Sequence, residues 1–252
     1  MTQLAQQLQK FDPISLEEMD AVRLMNRTDT KYITNTDMLL KLLPLMTEKY
    51  RLLKVNGKSI SSYETRYLDT KDYLLYRQHH NGKLNRYKFR FRKYIESDIY
   101  FLEAKYKTNK GRTIKTRIPV DDFENQLSVK SIDFLSEVYP NQVDQFMPQL
   151  KNYFSRLTFV HKHDKERLTI DINLRFEANN AKSDLGNIVI IELKRGNQVN
   201  NSDVALFLKQ LGIYSTSISK YCTGCAITNP TIKQNNFKPK LRYLEKIAHG
   251  IT

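Results

Sequence analysis

In Arg86-Tyr87-Lys88-Phe89-Arg90-Phe91-Arg92 a cation occupies every second position and an aromatic ring fills each position between. An extended strand turns successive side chains to opposite faces. Arg86, Lys88, Arg90 and Arg92 therefore share one face and the rings share the other. If the rings pack beneath helices, the cations line an interior. Cations gathered around one cavity repel each other unless a polyanion lies among them. The pattern predicts a sheet that encloses phosphate.

The composition permits such a body. The 252 residues are 40% hydrophobic and 11% aromatic, enough core for one large domain or a closed barrel with helical additions. Lys and Arg number 41 against 27 Asp and Glu, and the net charge of +14 is spread along the chain rather than held in a tail. Nucleic acid, an anionic membrane surface or a phosphorylated small molecule would each account for it. Cys222 and Cys225 form a C-x-x-C pair, but no second pair completes a four-ligand zinc site, so they read as two thiols on a helix. None of the histidines forms an H-x-x-x-H pair. The N-terminus is too polar for a secretory signal, and no apolar run nears the roughly 20 residues that span a bilayer. A cytoplasmic protein with no transmembrane segment is expected.

The order of elements points to an α+β fold. Ser15 and Glu18 have capping-box spacing and open a helix over about 15–26. A strand follows near 29–34, then a helix to about residue 46 capped by Asn35 or Thr36. Extended stretches are expected at 50–55 and 60–69, and a short helix near 71–80 stops at Asn81-Gly82. Strands near 86–94, 100–107 and 112–120 run almost without interruption. Residues 121–150 read as helical, strands return at 153–162, 167–175 and 188–195, and helices follow near 203–211 and 219–227. An amphipathic helix over about 238–248 ends the chain, with packing against the body as its default role. About eight hairpin-linked strands, with cations recurring on alternate positions, fit a closed antiparallel eight-stranded β-barrel with surrounding helices. Closure gathers the basic faces around one axis and leaves no edge.

Strand by strand, the inward set is consistent. It comprises Arg27, Asp29 and Lys31; Arg90 and Arg92; Glu103 and Lys105; Lys115 and Arg117; Arg156; Arg167, Thr169 and Asp171; and Glu192 with Lys194. Arginine can fork onto two phosphate oxygens and lysine adds a point charge. Glu103 and Glu192 sit beside cations in otherwise apolar strands, which suits ligands for Mg²⁺ or Mn²⁺. Each strand alone would also fit a half-solvated sheet with cross-strand Glu–Lys pairs, and Glu103 fits a salt bridge as well as a metal site. Taken together, the strands hold too much arginine and too little acid for a solvated face.

These pieces carry a resemblance. Arg27-Thr28-Asp29-Thr30-Lys31-Tyr32, Thr65-Arg66-Tyr67-Leu68-Asp69-Thr70, Arg90-Phe91-Arg92, Glu103-Ala104-Lys105, Lys115, Arg156, Arg167-Leu168-Thr169-Ile170-Asp171, Ile191-Glu192-Leu193-Lys194 and Ser219-Lys220-Tyr221 follow one another in order. Their order and spacing resemble the VTC-domain branch of the triphosphate tunnel metalloenzymes, the CYTH-like superfamily, over nearly the whole chain. The resemblance implies a single tunnel domain over 1–252 that binds a nucleoside triphosphate and a divalent metal. By position it assigns Arg90, Arg92, Lys105, Arg156 and Arg167 to catalysis on the triphosphate. Lys31, Lys115, Ser219 and Lys220 would bind substrate, and Glu192 with Glu103 would hold Mn²⁺ or Mg²⁺. The hydrolase and cyclase branches open on E-x-E-x-K where this chain has Arg27, Asp29 and Lys31, which favours the VTC branch. Ser217 stands where the polymerase carries a lysine before its Ser-Lys pair.

The expected activity is a metal-dependent polyphosphate polymerase that moves the γ-phosphate of ATP onto a growing polyphosphate chain. The acceptor oxygen is already ionised, so no general base is needed, and none stands out. No G-x-x-x-x-G-K-[ST] loop is present to suggest a P-loop NTPase. One rival is an inorganic or nucleoside triphosphatase on the same fold. Another is a non-catalytic polyphosphate- or RNA-binding protein, since Tyr and Phe interleaved with Arg also build single-strand platforms. That second rival leaves Glu103 and Glu192 unexplained, and a nucleic-acid partner is not expected.

Overall fold

The computed structural model describes residues 2–21, 27–178, 180–196 and 201–250. Its elements run α1 (Gln3–Leu8), β1 (Pro13–Ile14), α2 (Leu16–Ala21), β2 (Arg27–Asn35), α3 (Thr36–Met46), β3 (Tyr50–Leu53), β4 (Ser61–Asp69) and α4 (Leu74–His80). They continue with β5 (Arg86–Tyr94), β6 (Ile99–Lys107), β7 (Thr113–Val120), α5 (Val129–Val138), β8 (Met147–His161), β9 (Glu166–Ala178), β10 (Ala181–Asp184) and β11 (Ile188–Gly196). Three helices finish the order: α6 (Asp203–Gln210), α7 (Lys220–Thr228) and α8 (Lys238–Ala248). Among the described residues no helix is long and apolar enough to cross a membrane.

One antiparallel path, β2-β11-β9-β8-β4-β5-β6-β7, forms the body of the sheet. Its outer face is sealed in two patches. Leu157 and Phe159 of β8, Leu168 and Ile170 of β9, and Val189, Ile191 and Leu193 of β11 pack beneath α3 and α6. Phe89 and Phe91 of β5 and Leu102 of β6 pack beneath Phe134 and Leu135 of α5. The rings between the cations are thus buried outward, and Phe89, Phe91, Leu102 and Ile191 are fully covered. The cations on the opposite faces have only the concave side left to occupy.

Local signals behave as their chemistry demands. Ser15 and Glu18 exchange hydrogen bonds (2.8 and 3.1 Å) ahead of α2. The side chains of Asn35, Ser128, Ser202 and Ser219 cap α3, α5, α6 and α7. Gly111, at φ +79°, turns the chain from β6 into β7.

The polar N-terminal stretch contains α1, whose Leu8 is buried in the core. Two expectations need correction. First, residues 121–150 hold only the short helix α5. Pro140 disfavours helix at Tyr139 before it, and β8 starts at Met147, with the irregular register at Tyr67/Leu68 accommodating Pro148. Second, the barrel is a curled open sheet. Among the described residues β2 and β7 do not pair. The free edge of β2 is instead taken by the segment before α7, through a Tyr32–Ser215 bridge and a 2.7 Å bond from the Thr216 amide to the Lys31 carbonyl. β7 is left as a largely exposed edge whose Pro119 suits that position.

Two helices also depart from an all-outside arrangement. Tyr67 stands opposite Leu150 and Arg90 in register, so Tyr67 and Leu150 share the face of the cations. α7 packs on that concave side through Tyr221, Cys222 and Cys225, against Tyr67, Leu150 and Phe176. Gly224 permits the approach: a Cβ there would lie 2.5 Å from both Leu150 Cδ2 and Phe176 Cδ1. In an exposed helix a glycine-to-alanine change gains about 1 kcal/mol, whereas forcing a methyl into a packed contact costs about 1–3 kcal/mol. Phe176 is 1% exposed and has nowhere to retreat. Gly224→Ala is therefore expected to destabilise the protein, read as a lower midpoint in denaturant unfolding; an unchanged or higher midpoint would contradict this packing.

Candidate functional site

The concave face is organised around three carboxylates, each held by two cations. Glu103 of β6, with no exposed surface, accepts from Arg90 Nε at 2.6 Å and from the Lys115 ammonium. Asp171 of β9 accepts from Arg156 Nε at 2.6 Å and Nη2 at 2.9 Å, and from the ammonium of Lys220 at the start of α7. Glu192 of β11 is bound by Lys31 of β2 and by Lys194 two residues along its own strand. Burial opposes ionisation of all three acids, yet the paired cations win and hold each carboxyl below the usual range.

Cations outnumber these acids, and the surplus is crowded. Among the described residues Lys88, Arg92 and Lys105 form no ion pair with a carboxylate. Arg92 is 6% exposed, donates from Nε to Thr65 Oγ1 at 3.3 Å, and lies over the Tyr63 and Phe154 rings. Burial pulls Lys105 down to about 7, with Arg90 adding to the effect and Glu192 resisting it. Burial likewise lowers Lys220 to about 7, and Lys88 and Lys194 to about 8. Lys105 on β6 senses both Lys31 and Glu192 on β2 and β11. Those strands lie towards opposite ends of the path, so the sheet curls until its ends face each other across one basic interior.

The T-R-Y-L-D-T segment explains how α4 and α7 are aimed at this interior. Asp69, fully buried, accepts backbone N–H bonds from Thr70 (2.8 Å), Leu75 (2.8 Å) and Tyr76 (2.9 Å), and the Tyr221 hydroxyl. One carboxylate thus ties the end of β4, the first turn of α4 and the first turn of α7. α7 then presents Ser219 and Lys220 together. Ser219 Oγ accepts from the Cys222 amide and, at 3.0 Å, from Lys88 Nζ.

Of the residues singled out from the sequence, Lys31, Arg90, Arg92, Glu103, Lys105, Lys115, Arg156 and Glu192 fall on concave strand faces, joined by Lys220 from α7. Arg167 stands opposite Lys194 in the β9–β11 register, and Ser219 joins Lys88. Glu103 and Glu192 lie in separate ion-pair clusters. Among the described residues no three His, Cys, Asp or Glu side chains gather as a metal cage. One or two carboxylates, with phosphate oxygens and water completing the shell, is the coordination that Mg²⁺ takes with nucleotides. The donor set fits a metal that arrives with its phosphate. Cys222 and Cys225 are buried and free on α7. Lys88, Lys194 and Asp171 already stood out by strand periodicity but not as members of the site, and Asp69 gave only a motif position. Lys88 meets Ser219 131 residues on, Asp171 meets Lys220 49 residues on and Asp69 meets Tyr221 152 residues on, which periodicity does not convey.

A curled antiparallel sheet around a basic interior is the architecture of the triphosphate tunnel proteins. The VTC domain model matches residues 26–229, and the chain belongs to the VTC-domain family. Among curated proteins none matches. A solved structure from Hippeastrum, a candidate adenylyl cyclase described as having a dominant triphosphatase activity, superposes with a TM-score of 0.52 at 14% identity, covering 81% of this chain and 97% of that one. Candidate adenylate cyclases from Vibrio parahaemolyticus (TM-score 0.46, 12% identity, 78% and 96% covered) and Bacillus halodurans (0.44, 14%, 77% and 96%) are also similar.

The depressed lysines give the interior a pH signature. Burial lowers all four lysines, Lys105 and Lys220 to about 7 and Lys88 and Lys194 to about 8, so part of their positive charge is lost as the pH rises to 8. A bound polyanion favours the charged forms, so binding takes up protons. Long-chain polyphosphate, whose internal phosphates carry no proton at this pH, is the clean probe. Calorimetry in buffers of differing ionisation enthalpy should show net proton uptake at pH 8 that shrinks towards pH 6. Uptake that is absent at pH 8 would contradict the crowding described above.

Proposed function

We propose that this protein is a metal-dependent polyphosphate polymerase that transfers the γ-phosphate of ATP to a growing polyphosphate chain within the basic tunnel. The observation that carries the reading is the surplus of partly or fully buried cations around three already paired carboxylates. Such a surplus is unfavourable until an anion of high charge density enters. Membership of the VTC-domain family supports the same class of substrate.

In the transfer, the terminal oxygen of the chain attacks the γ-phosphorus of ATP. A new P–O–P bridge forms, the bond from the γ-phosphorus to the β,γ-bridging oxygen breaks, and ADP leaves with the electron pair. No proton need move at the acceptor. The protein's part is to bring two anions together in line and to offset the charge on the equatorial oxygens. Arg90, Arg92 and Arg156 have planar donor forks suited to that task, and Lys105, Arg167 and Lys220 add charge at the same wall. Lys31, Lys115 and Ser219 with Lys88 would hold the ends of the substrate. Phosphate oxygens compete with Glu192 for Lys31 and Lys194, and with Glu103 for Arg90 and Lys115. Their arrival frees carboxylate oxygens to hold Mn²⁺ or Mg²⁺, which would supply charge neutralisation between phosphates. Substrate would also draw β7 towards β2, since Lys115 and Arg117 face the interior from the unpaired strand, and so narrow the open seam into a closed tunnel.

A triphosphatase would use the same cations with water as acceptor, and the similarity to the Hippeastrum structure keeps that reading in view. Incubation with ATP and Mn²⁺, with products resolved on a polyacrylamide gel and free phosphate assayed, separates the two. The expected result is polyphosphate chains from the wild type, lost on Glu192→Gln and reduced at least about a hundredfold by Arg90→Ala, as for removal of a main transition-state donor. Free phosphate without chains would assign a triphosphatase. Metal-independent binding with no turnover would leave a binding protein.

A further inference from the structure

α8 follows residue 229, where the family match stops, and it is seated where the interior should be open. Leu244 and Ile247 are buried in one cluster with Ile33, Phe154, Leu174, Ile188 and Ile190. Ile33 lies two residues beyond Lys31, Ile190 two before Glu192, and Phe154 two before Arg156. By strand alternation these apolar side chains share the faces of the phosphate-facing cations. The unbroken apolar run Ile188–Ile191 is thereby explained: Val189 and Ile191 face the outer helices, whereas Ile188 and Ile190 face α8. Asn35 Nδ2 adds a 3.3 Å bond to the Ile247 carbonyl.

Lys240 shares the helix face of Leu244 and Ile247 by i, i+4, i+7 spacing. Its ammonium binds Thr216 Oγ1, and the Thr216 amide binds the Lys31 carbonyl. α8 is thus fastened to the segment that runs along β2 and leads into Ser219 and Lys220. The interior has two zones: a charged one, and an apolar one filled by α8, with the stacked Tyr63 and Phe154 rings between them (centroids 5.0 Å apart).

We propose that α8 is a chain-length stop. It closes one end of the basic tunnel, and the Lys240–Thr216 contact is its latch. This rests on the polyphosphate reading given above. A phosphate chain advancing past the cations meets Ile33, Ile190, Phe154 and Leu244, where it would shed water without gaining a partner, and so it halts. With α8 lifted, the same end opens to solvent and a long chain can pass through and contact the whole wall.

The test compares binding of tripolyphosphate and long-chain polyphosphate by wild type, Leu244→Asn, which puts an uncharged polar group into the apolar zone, and Lys240→Ala, which cuts only the latch. Circular dichroism checks that each is folded. Long chains are expected to bind about tenfold more tightly to Leu244→Asn than to wild type, a difference of about 1.4 kcal/mol. Lys240→Ala should move the same way by less, and tripolyphosphate affinity should hold within about twofold, since the short ligand never reaches the stop. A long-to-short ratio unchanged in folded Lys240→Ala and Leu244→Asn overturns the stop while leaving the polyphosphate reading intact. If Leu244→Asn does not fold, Lys240→Ala alone decides: a wild-type ratio overturns the proposal. Failure of wild type to bind either ligand would instead remove the polyphosphate reading, and the stop with it.

Discussion

Repulsion among cations turned to the inside of a curled sheet is the constraint on which the rest of this structure depends. Alternation along β5, β6, β8, β9 and β11 forces charge to the face opposite the core. Outer helices cover the apolar face so fully that the charged face has no other place to be. Glu103, Asp171 and Glu192 offset part of the repulsion, each by bridging two cations, and each is kept ionised against burial by its partners. What they leave unbalanced, Lys88, Arg92 and Lys105 above all, is held in readiness for phosphate. An interior left with unbalanced cations gives up stability that a bound anion would restore.

The supporting architecture is arranged so that this unfavourable interior cannot relax. Asp69 fastens β4, α4 and α7 with one carboxylate, and Gly224 lets α7 lie flat on Leu150 and Phe176. Lys220 is thereby pinned near Asp171 and the Phe154 ring, at 3.7 Å from its centroid, rather than swinging to solvent. Elsewhere a second buried polar knot, Tyr50 hydrogen-bonded to Glu166 and to the Val204 amide, anchors α6 to the outer face. Carboxylates thus serve twice in this fold: as partners of the tunnel cations, and as rivets between elements distant in sequence.

Much of this was legible beforehand, for reasons visible in particular residues. The strands at 86–94 and 188–195, the alternation of Arg90 and Arg92 with Phe89 and Phe91, and the cap at Asn35 all rest on interactions spanning a few residues. The stretch 121–150 reads as helical because Phe123, Leu127, Ile132, Leu135 and Phe146 have apolar spacing compatible with a helix. In fact only Val129–Val138 is helical, while Phe123, Leu127 and Phe146 join the same cluster from the flanking loops. Asp69 carried no sign of its role, because its ligands are backbone amides and a tyrosine 152 residues on.

The sequence by itself determined which faces of the strands are basic, and with them the demand for an anion, because side-chain direction in a strand follows from backbone geometry alone. Only the tertiary structure decided which cation meets which carboxylate. The same holds for the segment at Ser215 and Thr216 that occupies the edge of β2 and leaves the sheet open, and for the seating of α7 and α8 in the concavity instead of on the outside. Those outcomes depend on the competition of distant surfaces for the same apolar and hydrogen-bonding partners. An amphipathic helix such as Lys238–Ala248 carries the same pattern whichever side of a sheet it covers. Ile33, Ile190 and Phe154 supply the surface that settles it, and they come together only when β2, β11 and β8 have curled around one axis.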